Sequence, residues 1–237
     1  LGLGGAQTVV ALAGATGSGK SSLFNALVGA PIATVGARRP TTSSPTAAVW
    51  GAQPAAELLD WVGVSVRHDV PAVGEDPLRG LVLLDLPDFD SRESAHRAEA
   101  ERILALVDVF VYVTDPQKYA DAVLHNDFLA AGARHSEVTV VVLNHTDELA
   151  PGDLGPCLAD LRELLSQDGL PAVQVLDTSA RTGHGIPALR ELLADVTSGR
   201  AAARQRLTGD VQRVASAVRT GVGDTEAAVP ETVTGQL

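Results

Sequence analysis

The sequence predicts an α/β fold of three layers, with a mostly parallel central sheet flanked by helices. Two observations carry this expectation. Short apolar runs at Thr8 to Ala13, Leu81 to Leu84, Val109 to Thr114, Val138 to Leu143 and Val173 to Leu176 have the length of buried strands. Amphipathic stretches at Ser21 to Val28, Ala98 to Val107, Ala120 to Ala131, Leu154 to Leu165 and Ile186 to Val196 alternate with them, in the rhythm of crossover helices on a parallel sheet.

The remaining segments follow in order. Pro31 to Pro45 is rich in Pro, Thr, Ser and Arg and has no apolar period, so a mobile loop is expected. Thr46 to Gly51 and Val64 to Val70 are expected edge strands, with a helical piece, Ala55 to Val62, between them. After Gly199 the pattern changes: Arg204 to Val222 reads as a helix with a narrow seam of Leu207, Val211, Val214 and Val218. This helix either leads into a stalk, the favoured reading, or packs back on the domain. The expected organisation is a domain over residues 1–199, a C-terminal helix over 200–223, and a flexible tail over 224–237.

A chain of 237 residues, 45% of them hydrophobic, can bury one substantial core. The net charge of −11 argues against broad adhesion to nucleic acid or anionic lipid, so direct nucleic-acid binding is not expected. The single Cys157 excludes an intrachain disulfide and fits a cytoplasmic location. No apolar run reaches the roughly 20 residues of a membrane span, and no signal core is present. The chain starts at Leu1 and contains no Met, so it is expected to be cut from a longer protein. Lysine occurs only at Lys20 and Lys118 while Arg and Ala abound, a bias read as a GC-rich bacterial genome.

Against that bias, the run Gly14-Ala15-Thr16-Gly17-Ser18-Gly19-Lys20-Ser21 stands out, since it follows one predicted strand and opens one predicted helix. Such a loop wraps phosphate with backbone N–H groups, places a lysine at the terminal phosphates, and offers a hydroxyl to Mg²⁺. The candidate nucleotide contacts here are Gly14, Thr16, Gly17, Ser18, Gly19, Lys20, Ser21 and Ser22. Asp85 ends the strand Leu81 to Leu84, where a P-loop enzyme keeps the carboxylate that holds Mg²⁺ through water.

The strand ending at Leu143 runs into Asn144-His145-Thr146-Asp147, which resembles the Asn-Lys-x-Asp motif of GTPases. In that motif the Asp carboxylate accepts the N1 and N2 hydrogens of guanine, which adenine does not offer, and the Asn ties the loop to the phosphate loop. Thr178-Ser179-Ala180-Arg181, with Gly183-His184-Gly185-Ile186 after it, resembles the closing Ser-Ala-x-x-Gly-x-Gly-Ile of translation-factor-class GTPases, where the Ala N–H meets guanine O6. Asn144, His145, Asp147, Ser179, Ala180 and Arg181 are therefore the candidate base contacts. Within Arg39-Pro40-Thr41-Thr42, Thr42 is the candidate for the threonine that ligates Mg²⁺ when the γ-phosphate is present, with Thr41 the alternative.

Together these motifs resemble the small bacterial GTPases of the Era and dynamin-like group, and Lys20 to Leu27 resembles the Era group's Lys-Ser-Ser-Leu-x-Asn-x-Leu. Asp85-Leu86-Pro87-Asp88-Phe89-Asp90-Ser91 and Asp115-Pro116-Gln117-Lys118-Tyr119-Ala120-Asp121 are similar to an actinobacterial family of GTPase-domain proteins. The resemblance implies a Ras-like P-loop GTPase domain that binds GTP or GDP with Mg²⁺, held by Ser21, Thr42 and Asp85. It also implies slow hydrolysis, dimerisation across the nucleotide face, and a protein or membrane partner engaged through a further C-terminal region at the inner face of the membrane.

Several positions depart from the pattern. Asp88 replaces the glycine of Asp-x-x-Gly and Phe89 stands where Ras-type enzymes keep the water-orienting glutamine. Lys20, Thr42 and Asp88 are the candidate catalytic residues, the last by position alone. Gly17 replaces an Asn that holds K⁺ in some relatives, so K⁺ activation is not expected. His145 replaces the motif lysine whose stem packs along guanine; an imidazole has a ring that can stack in its place, and weaker affinity rather than lost specificity is the consequence at issue. A GTP-loaded interaction module with negligible hydrolysis is the alternative. A P-loop ATP-binding protein is the weaker one, because no transporter signature or lid follows the loop.

Overall fold

The computed structural model of the protein describes residues 7–33, 45–51, 55–71, 74, 76–87, 107–121 and 139–222. Seven strands, β1 Thr8–Ala13, β2 Thr46–Trp50, β3 Val66–Val70, β4 Leu81–Asp85, β5 Val109–Thr114, β6 Thr139–Leu143 and β7 Gln174–Asp177, form one sheet in the order β3-β2-β4-β1-β5-β6-β7. All pairs are parallel except β2 with β4. The described helices are α1 Lys20–Val28, α2 Ala56–Val62, α3 Leu154–Gln167 and α4 Ile186–Val222. The predicted α/β fold and its mostly parallel sheet are present.

The period-two pattern of the central strands builds a core on each face of the sheet. From β1, Val9, Ala11 and Ala13 join Leu59 and Val62 of α2 and Leu161 and Leu165 of α3. Val10 and Leu12 point the other way, into a cluster with Leu23, Phe24 and Leu27 of α1 and Ile186, Leu189 and Leu193 of α4. A strand buried on both faces reads as a continuous apolar run, which explains why β1, β4 and β5 stand out in the sequence.

Two compact units divide the chain, Leu1–Ser198 and Gly199–Leu237. The stretches Ile186 to Val196 and Arg204 to Val222 lie on one helix, α4, which continues through Gly199. A helix-interior glycine costs only about 1 kcal/mol relative to Ala, and the strong helix formers Arg200 to Ala203 follow it at once. In the second unit, Leu207, Val211, Val214 and Val218 are exposed. Among the described residues, no helix is long and apolar enough to cross a membrane.

Parallel pairing brings the carboxyl ends of β1, β4, β5, β6 and β7 to one edge. Loops that follow those strands converge there. Asn25 of α1 fastens the segment that follows this helix: its Oδ1 accepts from the N–H groups of Ile32 (2.9 Å) and Ala33 (2.7 Å), and its Nδ2 donates to Ala33 O (2.9 Å). Asn25→Ala strands two backbone donors, so a loss of about 1–3 kcal/mol is expected in denaturant unfolding. An unchanged midpoint would contradict this role for the side chain.

Candidate functional site

The loop after β1 is shaped by its glycines. Gly14 has φ +148°, and a Cβ there would lie 2.0 Å from the Val113 carbonyl oxygen. Gly19 has φ +85°, and its Cβ would fall 2.3 Å from Asn144 Nδ2 and 2.6 Å from His145 Nε2. The loop therefore closes against β5 and the loop after β6 only because both positions lack a side chain.

Gly19 is also the N-cap of α1, makes no side-chain capping bond, and is followed by no acidic residue in the first turn. The first turn of α1 thus brings no acidic side chain of its own to the helix N-terminus, which suits an anion. Lys20 is buried, and its Nζ donates to Gly14 O (2.9 Å) and Ala15 O (3.1 Å), across the mouth of the loop. Ser18 Oγ is buried without a hydrogen-bond partner among the described residues. A phosphate oxygen accepting from it would relieve that cost.

Ser21 and Asp85 meet at the start of α1. Ser21 Oγ donates to Asp85 Oδ2 at 2.7 Å, and Asp85 is fully buried at the end of β4. Two hard oxygen donors at the mouth of a phosphate-binding loop fit Mg²⁺, which takes one or two protein oxygens plus phosphate and water.

The second half of the site hangs on Asn144, which is fully buried. Its Nδ2 donates to Ser18 O at 3.0 Å, while its Oδ1 accepts from Thr178 Oγ1 at 3.2 Å and Ala180 N at 3.1 Å. One side chain joins the phosphate loop to the loop after β7. His145 follows in the left-handed region at φ 61°, turning the chain into a short 3₁₀ helix, Thr146–Glu148. Its ring lies against Gly19 of the phosphate loop.

Asp147 presents its carboxylate beside that helix. Oδ1 accepts from Ser179 Oγ, and Oδ2 accepts from Arg181 Nε (2.7 Å) and its terminal nitrogen. The Ser179 hydroxyl first and the Arg181 guanidinium second hold the Asp147 carboxyl below the usual carboxylate range. The loop carrying Ser179 is closed by the bridge of Ser179 to His184 and by Thr182 N donating to Ser179 Oγ at 3.1 Å. His184 itself is exposed, with Nε2 2.7 Å from Asp177 Oδ2.

The structure thus gathers Gly14, Thr16, Gly17, Ser18, Gly19, Lys20, Ser21, Ser22, Asp85, Asn144, His145, Asp147, Ser179, Ala180 and Arg181 along one edge of the sheet. Thr41, Thr42, Asp88, Phe89 and Asp90 lie outside the described residues, as do positions 98–106 and 122–131 of two expected helices. Sequence reasoning gave no role to Thr178, Asp115 or Lys118. Thr178 Oγ1 anchors Asn144, and Lys118 Nζ donates to Thr16 O of the phosphate loop at 2.8 Å and pairs with Asp115 Oδ2 at 3.1 Å. The scarcity of lysine was the signal that marked Lys118.

Comparison with known proteins places this geometry. Among solved structures, the chain is similar to a member of an oligomerised bacterial dynamin pair that senses and tethers membranes, at 15% identity and TM-score 0.61, over 89% of this chain and 49% of that one. It is also similar to Era bound to MgGDPNP and a 16S ribosomal RNA segment (18% identity, TM-score 0.58, 80% of this chain and 56% of that one). Toc33 from Arabidopsis thaliana, in complex with GDP and Mg²⁺, shares the fold at 17% identity and TM-score 0.56, over 83% of this chain and 86% of that one. The chain spans about half the length of the dynamin. No curated protein matches it. The model of the 50S ribosome-binding GTPase family matches residues 9–145, from β1 through His145, and the chain belongs to that family.

Proposed function

We propose that this chain is a Mg²⁺-dependent guanine-nucleotide switch that hydrolyses GTP slowly to GDP and phosphate. The observation that carries the reading is Asn144, which holds the phosphate loop through Ser18 O and the base loop through Ala180 N, with the Asp147 carboxylate beside it. A phosphate site and a guanine-reading carboxylate are thereby locked into one register.

In this reading the backbone of residues 14–19 and the start of α1 hold the phosphates, and Lys20 supplies charge at the β- and γ-phosphates. Asp147 reads guanine. Ser179 and Arg181 keep it ionised, Ala180 lines the base, and His145 packs between base and phosphate loop. Ser21 and Asp85, with Thr42, are the residues that would hold Mg²⁺, which would supply positive charge against the negative charge that develops on the phosphate oxygens. A water oxygen bonds to the γ-phosphorus, the bond to the β–γ bridging oxygen breaks, and GDP leaves with the electron pair. Asp88 is the candidate for placing that water.

With Phe89 in the usual glutamine position, the intrinsic rate is expected on the order of 10⁻⁴ to 10⁻² per second. Dimerisation is important for the GTPase activity of chloroplast Toc33 and Toc159. We extend this to a second copy of the present chain across the nucleotide face, and to a protein or membrane partner engaged through further C-terminal sequence. The same substitutions, Asp88 for Gly and Phe89 for Gln, favour the second reading, a GTP-loaded module that recruits a partner without turnover.

Phosphate release under multiple turnover separates the two. Slow release with GTP, lost in Lys20→Ala, is the expected result, and tight GTP binding with no release sinks the enzymatic reading. The pH dependence follows from Asp147. A carboxyl lowered in the folded protein contributes above its unfolded value, and the contribution is lost only as pH falls through the folded one. The GDP affinity difference between wild type and Asp147→Asn, in which the nucleotide's own titration cancels, is expected to stay level from pH 7 to about 5. A difference that collapses within that window contradicts the assignment.

A further inference from the structure

Three successive carbonyls of the phosphate loop point at ammonium groups: Gly14 O and Ala15 O accept from Lys20 Nζ, and Thr16 O accepts from Lys118 Nζ. These are the two lysines of the whole chain. In a trans peptide the C=O and the following N–H point in opposite directions, so peptides whose carbonyls face the two lysines turn the N–H groups of residues 15–17 the other way. Two cations fix the orientation of one anion-binding nest.

Lys118 arrives from a distant part of the chain on a rigid turn. Asp115 N-terminally anchors it: Oδ1 accepts from Gln117 N at 2.8 Å, the backbone oxygen accepts from Lys118 N and Tyr119 N at 3.1 and 3.0 Å, and Oδ2 pairs with Lys118 Nζ. On the far side Tyr119 Oη donates to Asp160 Oδ2 of α3 at 2.8 Å. The Asp115 carboxylate is buried while the Lys118 side chain is about one-third exposed, at 31%, so the ammonium sits where the buried acid meets the open loop.

Its place in the loop is specific. A Cβ on Gly17 would lie 3.1 Å from Lys118 Nζ, so the ammonium fills the space that a side chain at position 17 would claim. An ammonium has three donor hydrogens, and Thr16 O and Asp115 Oδ2 take two of them. Resting on the nucleotide reading above, we propose that Lys118 is a second cation of the phosphate site, which offers its third N–H to a phosphate oxygen and neutralises charge that builds there during GTP hydrolysis. Lys118 stays protonated throughout and supplies charge and a hydrogen bond, with no proton transferred. The role fills a need: the position after Asp88 holds Phe89, so the sequence brings no glutamine to that place in the reaction.

The test uses Lys118→Gln, whose amide still donates to Thr16 O but carries no charge, with Lys118→Arg as the conservative variant. Single-turnover hydrolysis at saturating GTP is expected to slow about tenfold or more in Lys118→Gln. The thermal midpoint should stay close to wild type, any loss of GDP affinity should be smaller than the loss of rate, and Lys118→Arg should keep most of the rate. Methylammonium or K⁺ is expected to restore part of the rate to Lys118→Gln and to leave wild type unaffected, a response that a purely structural pin does not give. Asp115→Asn serves as a second variant should the first not fold. It keeps the bond to Gln117 N, replaces the acceptor at Lys118 with a donor, and is expected to slow hydrolysis in the same direction by less. An unchanged rate in Lys118→Gln overturns the proposal, as does a parallel loss of GDP affinity and stability without cation rescue. If wild type binds and hydrolyses GTP while the variants match it, this inference alone falls. If wild type binds no guanine nucleotide, the reading beneath it falls too.

Discussion

The buried Asn144 side chain is the constraint on which the rest of the site depends. It spends its amide on three partners from two loops, Ser18 O, Thr178 Oγ1 and Ala180 N, and has no exposure to water. A buried amide left half-satisfied is costly, so the two loops are held together or the fold pays about 1–3 kcal/mol for each orphaned group. Shape complementarity reinforces the junction. Gly19 must lack a side chain for Asn144 and His145 to reach it, and His145 must adopt a left-handed backbone to hand the chain on to Asp147.

The sheet makes this junction possible. Parallel strands deliver their carboxyl ends to one edge, so residues far apart in sequence arrive within hydrogen-bonding distance: Ser21 with Asp85, Ser18 with Asn144, Thr16 with Lys118. In a chain of net charge −11, both lysines converge on the loop after β1, where Lys118 pairs with Asp115, and Arg181 pairs with Asp147.

Much of this was legible in the sequence because the phosphate loop, Asp85 and the Asn144 segment each lie at the end of a buried strand, and buried strands are what apolar runs report best. The phosphate loop, Asp85 and the Asn144 to Asp147 segment are local in sequence, and their chemistry is stated by residue type and spacing. What was not legible is non-local or weakly encoded. The Asp115 to Asp121 stretch that holds Lys118 carries a resemblance but no role for the lysine, whose partner Thr16 is 102 positions away. Asn25 stands in the Lys20 to Leu27 resemblance, but its partners Ile32 and Ala33 lie beyond the helix and are not encoded by that spacing. The continuity of α4 through Gly199 is weakly encoded, because a glycine and a change of apolar period fall there while good helix formers on its C-terminal side carry the helix across.

The central claim is that one junction registers a phosphate site against a guanine-specific carboxylate. Calorimetric binding of GDP, a GTP analogue and ATP with Mg²⁺, repeated on Asp147→Asn, tests it most directly. The account predicts guanine selectivity on the order of 10⁴ in wild type, with most of that preference lost in the variant while the phosphate loop remains intact. Equal binding of ATP by wild type, or guanine preference retained without the Asp147 carboxylate, would contradict it.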